Sequence, residues 1–109
     1  MITKHWAKKG FITGDKITRE VCIDTEWIDP AISQAVIIHS PDGFAWGYWG
    51  SGPSQLALAI ALRLCDNPED AVSIYQELKK EFIGEAKREW NLEIPIWKVK
   101  DWILQSLDK

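Results

Sequence analysis

Strands and helices segregate along this 109-residue chain, and that order predicts an α+β fold. The expected architecture is a small antiparallel sheet, made of a strand plus a hairpin with a short extra edge strand as an option, packed against three helices. Two observations carry the prediction. Period-two alternation occupies residues 16–24 and 34–49, whereas helical stripes occupy 53–65, 68–86 and 95–107. A Gly-Ser-Gly-Pro segment, Gly50 to Pro53, marks the change from one regime to the other.

Residues 1–15 are polar and punctuated by glycine, and read as a loosely held arm anchored by Trp6, Phe11 and Ile12. In 16–24, Ile17, Arg19, Val21 and Ile23 share one side, the pattern of a half-buried strand. A turn follows around Asp24-Thr25-Glu26. Asp29-Pro30 reads as a stop, because the residue before proline avoids the helical region. Residues 34–39, with Val36-Ile37-Ile38, form the expected second strand. Ser40-Pro41-Asp42-Gly43 then fits a type I turn closed by a glycine bulge. The return strand is 44–49, with Phe44, Trp46 and Tyr48 on one face.

Pro53 suits a first helical turn, with Ser51 or Gly52 as N-cap. The helix 53–65 is apolar nearly all round, so it should be central and packed on more than one side. Asn67-Pro68 followed by Glu69 and Asp70 starts the next helix, since the cap, the proline and the acids all suit a positive helix end. That helix runs to about residue 86, burying Ala71, Ile74, Tyr75, Leu78 and Phe82. Residues 89–94 could be a short edge strand. After Pro95 a last helix buries Ile96, Val99, Ile103 and Leu107, with Trp97 and Trp102 beside that stripe.

Composition bounds the function. Apolar residues at 46% and charged residues at 27% are those of a globular chain, expected as a single domain over 1–109. A net charge of −3 disfavours nonspecific binding to nucleic acid or to an anionic membrane. No apolar run approaches the length of a membrane span, and none follows the basic N-terminal residues as in a secretory signal. Cys22 and Cys65, far apart, read as reduced thiols of a cytoplasmic protein.

The run from Ser40 to Ile60, with its turn, its aromatic-Gly strand and its Gly-Ser-Gly-Pro helix start, resembles the central box of a family of small proteins of unknown function from bacteria, archaea and phages. Trp27 to Pro30, Tyr75-Gln76, Glu81-Phe82, Trp90-x-Leu92 and Trp102-Ile103-Leu104 extend the resemblance over roughly residues 17–104. Thr25 stands where that pattern has a turn glycine, and Trp49 where it has a small residue. The resemblance implies a fold and a context of accessory proteins, some on mobile elements, but no catalytic residue.

Several constellations have candidate chemistry. Gly50, Ser51 and Gly52 open a helix and could hold an anion on backbone N–H groups. No P-loop lysine follows, and tight packing of bare backbone explains the glycines as well. His39, Ser40, Asp42, Ser51 and Ser54 have the residue types of a hydrolytic triad, without the nucleophile-elbow order. Asp24, Glu26 and Asp29 read as a solvated acidic turn. His5, His39, Cys22 and Cys65 lack zinc spacing, so neither a metal nor a cofactor is expected.

Seven tryptophans are the compositional oddity: Trp6, Trp27, Trp46, Trp49, Trp90, Trp97 and Trp102. A core of this size cannot easily bury them all, and Trp49, with Trp27 or Trp97, is expected to be exposed. An exposed indole anchors protein interfaces and stacks on bases. The leading expectation is a non-catalytic module binding a protein partner or itself. The alternatives are a nucleic-acid-associated protein using Lys4, Lys8, Lys9, Lys16 and Arg19 near Trp6 and Phe11, and an anion-binding domain or small enzyme at Ser51.

Overall fold

The segment expected to be a loose arm holds an inner strand of the sheet. A computed structural model describes residues 4–108, so Met1, Ile2 and Thr3 of that arm lie outside the described residues. Four strands, β1 (Phe11–Gly14), β2 (Val21–Ile23), β3 (Glu26–Trp27) and β4 (Leu92–Pro95), form one antiparallel sheet in the order β3-β2-β1-β4. Ile12 sits between Ile23 and Ile94 in register, and all three are buried.

The strand expected over 16–24 shrinks to β2, because a turn occupies its first half. The Asp15 carboxylate accepts from the backbone N–H groups of Ile17 at 2.8 Å and Thr18 at 3.4 Å. Arg19 adopts φ +63°, and Ile17 is 83% exposed instead of facing the core. Asp24 and Thr25, both at positive φ, form the two-residue turn into β3. Such a mirror-image turn matches the right-handed twist of the strands it joins.

Four α-helices accompany the sheet, one more than expected: α1 (Pro30–Gln34), α2 (Ser51–Leu64), α3 (Pro68–Leu78) and α4 (Ile96–Leu107). β3 ends before Asp29-Pro30, as expected of a stop, and the same pair then starts α1. The Asp29 side chain accepts from the Ala31 N–H at 3.0 Å, and Pro30 takes a position where no N–H is needed. Asn67-Pro68 starts α3 by the same device, as the sequence predicts. The expected helix 68–86 continues past Leu78 as a π-helical turn, Lys79–Ile83, and stops at Gly84. The last helix and the short edge strand stand close to where they were expected.

The hairpin expected over 34–49 does not form. Between α1 and α2 the chain is an irregular strap, with a turn at Pro41-Asp42 and Gly43 at φ +108° but no strand on either side. Gln55 of α2 satisfies its backbone instead of a neighbouring strand. The Gln55 Oε1 accepts from the N–H groups of His39 at 2.7 Å and Ser40 at 3.0 Å. Its Nε2 donates to the Ile37 carbonyl at 3.1 Å and to the Ser33 hydroxyl at 2.9 Å. With two bonds accepted and two donated, a fully buried amide is satisfied. The alternation of Phe44 and Trp46 is real, and both side chains are buried, but they leave the strap for the core without any strand pairing.

That core joins Ile12, Val21, Ile23, Leu92 and Ile94 of the sheet to the apolar residues of α2, α3 and α4. Residues 52–61 of α2 are all buried, as a helix apolar on every side should be. The opposite face of the sheet is covered too. Thr13 and Cys22 are buried there, and ion pairs Lys4–Glu20 at 2.9 Å and Lys8–Glu93 at 3.0 Å fasten the N-terminal segment to the strands. The Cα radius of gyration, 12.6 Å, is that of one folded body of about 100 residues.

Candidate functional site

The glycine-rich start of α2 is built for packing. Gly47 has φ +86°, and a Cβ there would come within 2.7 Å of the Arg88 Cα. A Cβ on Gly52 would meet Ala45 at 2.6 Å, and one on Gly50 would strike the Tyr48 ring. The N-cap of α2 is Gly50, not Ser51 or Gly52, and no side chain caps it. Ser51 is exposed, whereas the Ser54 hydroxyl donates to the Gly50 carbonyl at 3.2 Å and accepts from Lys79 Nζ at 3.0 Å.

The tryptophans divide by environment. Trp46 is fully buried beside Gly14, where a Cβ would lie 2.6 Å from its ring. Its indole N–H donates to the Trp90 carbonyl at 3.1 Å, and the Arg19 guanidinium sits 4.5 Å over its face. Trp102 meets Phe82 edge-on at 5.9 Å. Trp27, Trp49 and Trp97 are exposed to 48%, 55% and 66%. Trp90, placed by its sequence pattern beside Leu92 on an edge strand, precedes β4 and is exposed to 63%. The six-membered ring of Trp49 lies against Gly84.

These exposed rings do not converge. Trp49, Gly50, Ser51 and Gly52 follow one another at the head of α2, whereas Trp27 lies on β3 and Trp97 on α4. Trp27 instead joins Ile32 of α1 with Ala59 and Leu62 of α2 around an apolar groove of about 190 Å³. Its rim carries Glu26 and Asp29, with Arg63 of α2 reaching Glu26 at 3.4 Å. Ile32 escapes the sequence reading because Asp29-Pro30 reads there only as a stop, with no helix expected after it. The cap-and-proline pair Asp29-Pro30 was the signal for it.

The other constellations are occupied internally. His39 Nε2 is hydrogen-bonded to the Tyr75 hydroxyl at 2.7 Å, so the candidate triad histidine is joined to a core tyrosine. Asp24 accepts from the Gly10 N–H at 2.6 Å and Asp29 caps α1, which gives both turn acids structural partners. No group of three His, Cys, Asp or Glu residues that could hold a metal occurs among the described residues. Of the basic residues near Trp6 and Phe11, Lys4 and Lys8 are ion-paired, Lys8 lies 5.8 Å over Phe11, and Arg19 donates to the Arg88 carbonyl at 2.9 Å. Cys22 and Cys65 are free. Burial pushes both thiols above their usual range, with the carboxylates Asp70 and Asp66 adding to the effect at Cys65. Among the described residues no helix is long and apolar enough to cross a membrane.

No curated protein and no solved structure matches the chain. A family model does, over residues 7–105, which takes in the sheet, the strap, the first three helices and all but the end of α4. The chain therefore belongs to DUF6166, a family of unknown function.

Proposed function

We propose that this protein is a non-catalytic interaction module, working in the cytoplasm through a protein partner or through a second copy of itself. One observation carries the reading: four of seven tryptophans keep about half or more of their surface in solvent, while Trp46 and Trp102 pack in or against the core and Trp6 is half-buried. A fully buried indole contributes more to folding than an exposed one, so this distribution leaves large apolar area unused by the fold. Tryptophan is also the side chain over-represented where partners bind tightly.

The net charge of −3 supports a protein partner over nucleic acid, because a phosphate backbone is held by an excess of cations. The direct test is affinity capture of the tagged full chain from its native host's lysate, with and without nuclease, read by mass spectrometry. A stoichiometric protein that survives nuclease is the expected result. Captured material that vanishes with nuclease would replace the reading with nucleic-acid association. Absence of any partner, together with a monomer in sedimentation, would refute it.

A further inference from the structure

The groove between β3, α1 and α2 has walls from three elements that the sequence places far apart. Trp27 and Ile32 stand exposed on one side, Ala59 and Leu62 of the central helix on the other. At about 190 Å³ it has room for one apolar side chain, since an apolar cavity of about 150 Å³ takes benzene. Ile32 is 66% exposed at the lip, so the fold itself gains little from its side chain.

The charge at the rim is unbalanced. Glu26 and Asp29 are both carboxylates, Asp24 lies in the turn just before β3, and Arg63 is the sole cation among the lining residues. The Arg63–Glu26 contact is long and solvent-exposed, and such pairs contribute little and open readily. Asp29 caps α1 through one of its two carboxylate oxygens. An apolar slot edged by net negative charge is complementary to an apolar side chain flanked by cations.

We infer that this groove docks a short segment of a partner protein in which one aliphatic or aromatic residue is flanked by lysine or arginine. The inference rests on the interaction-module reading and assigns its surface. The anchor enters beside Trp27 against Ala59 and Leu62, and the flanking cations meet Glu26 and Asp29.

The test is a titration of the ¹⁵N-labelled full chain with short synthetic peptides, followed by amide shifts. The panel is Lys-Lys-Leu-Lys-Lys and its Phe version, a version with Ser for Leu, and Glu-Glu-Leu-Glu-Glu. The Lys-flanked Leu and Phe peptides should shift the amides of Trp27, Ile32, Ala59 and Leu62. The Ser and Glu versions should bind at least about tenfold more weakly. Ile32→Lys, at an exposed position, should weaken the Leu peptide by a similar factor while leaving the thermal midpoint unchanged. Equal binding of the Ser or Glu peptide, shifts centred elsewhere, unchanged affinity in Ile32→Lys, or no binding by any peptide would overturn it. So would concentration-dependent self-association through these same residues without peptide binding. A captured partner that Ile32→Lys still retains refutes the groove and spares the module; no partner for the wild type refutes the module.

Discussion

Thr25 holds a β-branched side chain at φ +72°, in a turn whose second central position favours glycine. A left-handed backbone costs such a residue roughly 1–2 kcal/mol, so Thr25→Gly should stabilise the fold by about 1 kcal/mol despite glycine's greater freedom when unfolded. A denaturant midpoint measurement checks this, and a fall in stability would contradict it. Gln55 is the opposite case, a polar residue the fold depends on. Gln55→Leu should cost about 3 kcal/mol, because four polar groups lose their partner at once. The two thiols add a pH dependence. Each keeps its proton more tightly folded than unfolded, so their contribution is complete below the ordinary thiol pKa of about 8.5 and is lost as pH rises through the higher folded values. Stability should therefore fall in alkali, and alkylation of native protein at neutral pH should be slower than that of a free thiol. Equal alkylation rates would contradict the burial of these groups.

At the scale of elements, the sequence is legible where one piece of chain decides its own structure. The central helix needs only its all-round apolar character, and α3 needs only Asn67-Pro68 and a stripe ending near Phe82. The same grammar at Asp29-Pro30 reads in the sequence only as a stop, and the helix that it also starts is too short to carry a stripe of its own. What the local pattern of Val36-Ile37-Ile38 could not reveal is that a side chain from α2, Gln55, would take the hydrogen bonds a strand partner would have supplied. A lone glutamine inside an otherwise apolar helix was the trace it left. β1 was hidden for a similar reason: four residues ending in glycine carry almost no periodicity, and their strand status comes from β2 and β4 on either side. Close backbone approach then fixes the strap. Gly84→Ala would drive a methyl group into the Trp49 ring, and should cost about 1–3 kcal/mol and redden Trp49 emission as the ring is pushed into water. Unchanged stability and fluorescence would mean that the ring does not rest there.

For the molecule as a whole, the seven tryptophans divide into those the fold uses and those it leaves to solvent. The count was legible in the sequence and so was the exposure of Trp49, with Trp27 and Trp97 as alternatives that both stand exposed. Trp90 was not, since whether a ring before an edge strand turns inward depends on tertiary packing. The groove beside Trp27 was not legible either, because α1 that forms its lip had been read as a chain stop. The claim that binding is the work of the exposed set is tested most directly by comparing Trp46→Ala with Trp27→Ala, measuring unfolding midpoint and capture of the partner side by side. The account predicts that Trp46→Ala loses about 3–5 kcal/mol of stability, while Trp27→Ala keeps a near-normal midpoint and no longer captures the partner. A Trp27→Ala protein that captures it as well as the wild type would contradict the account.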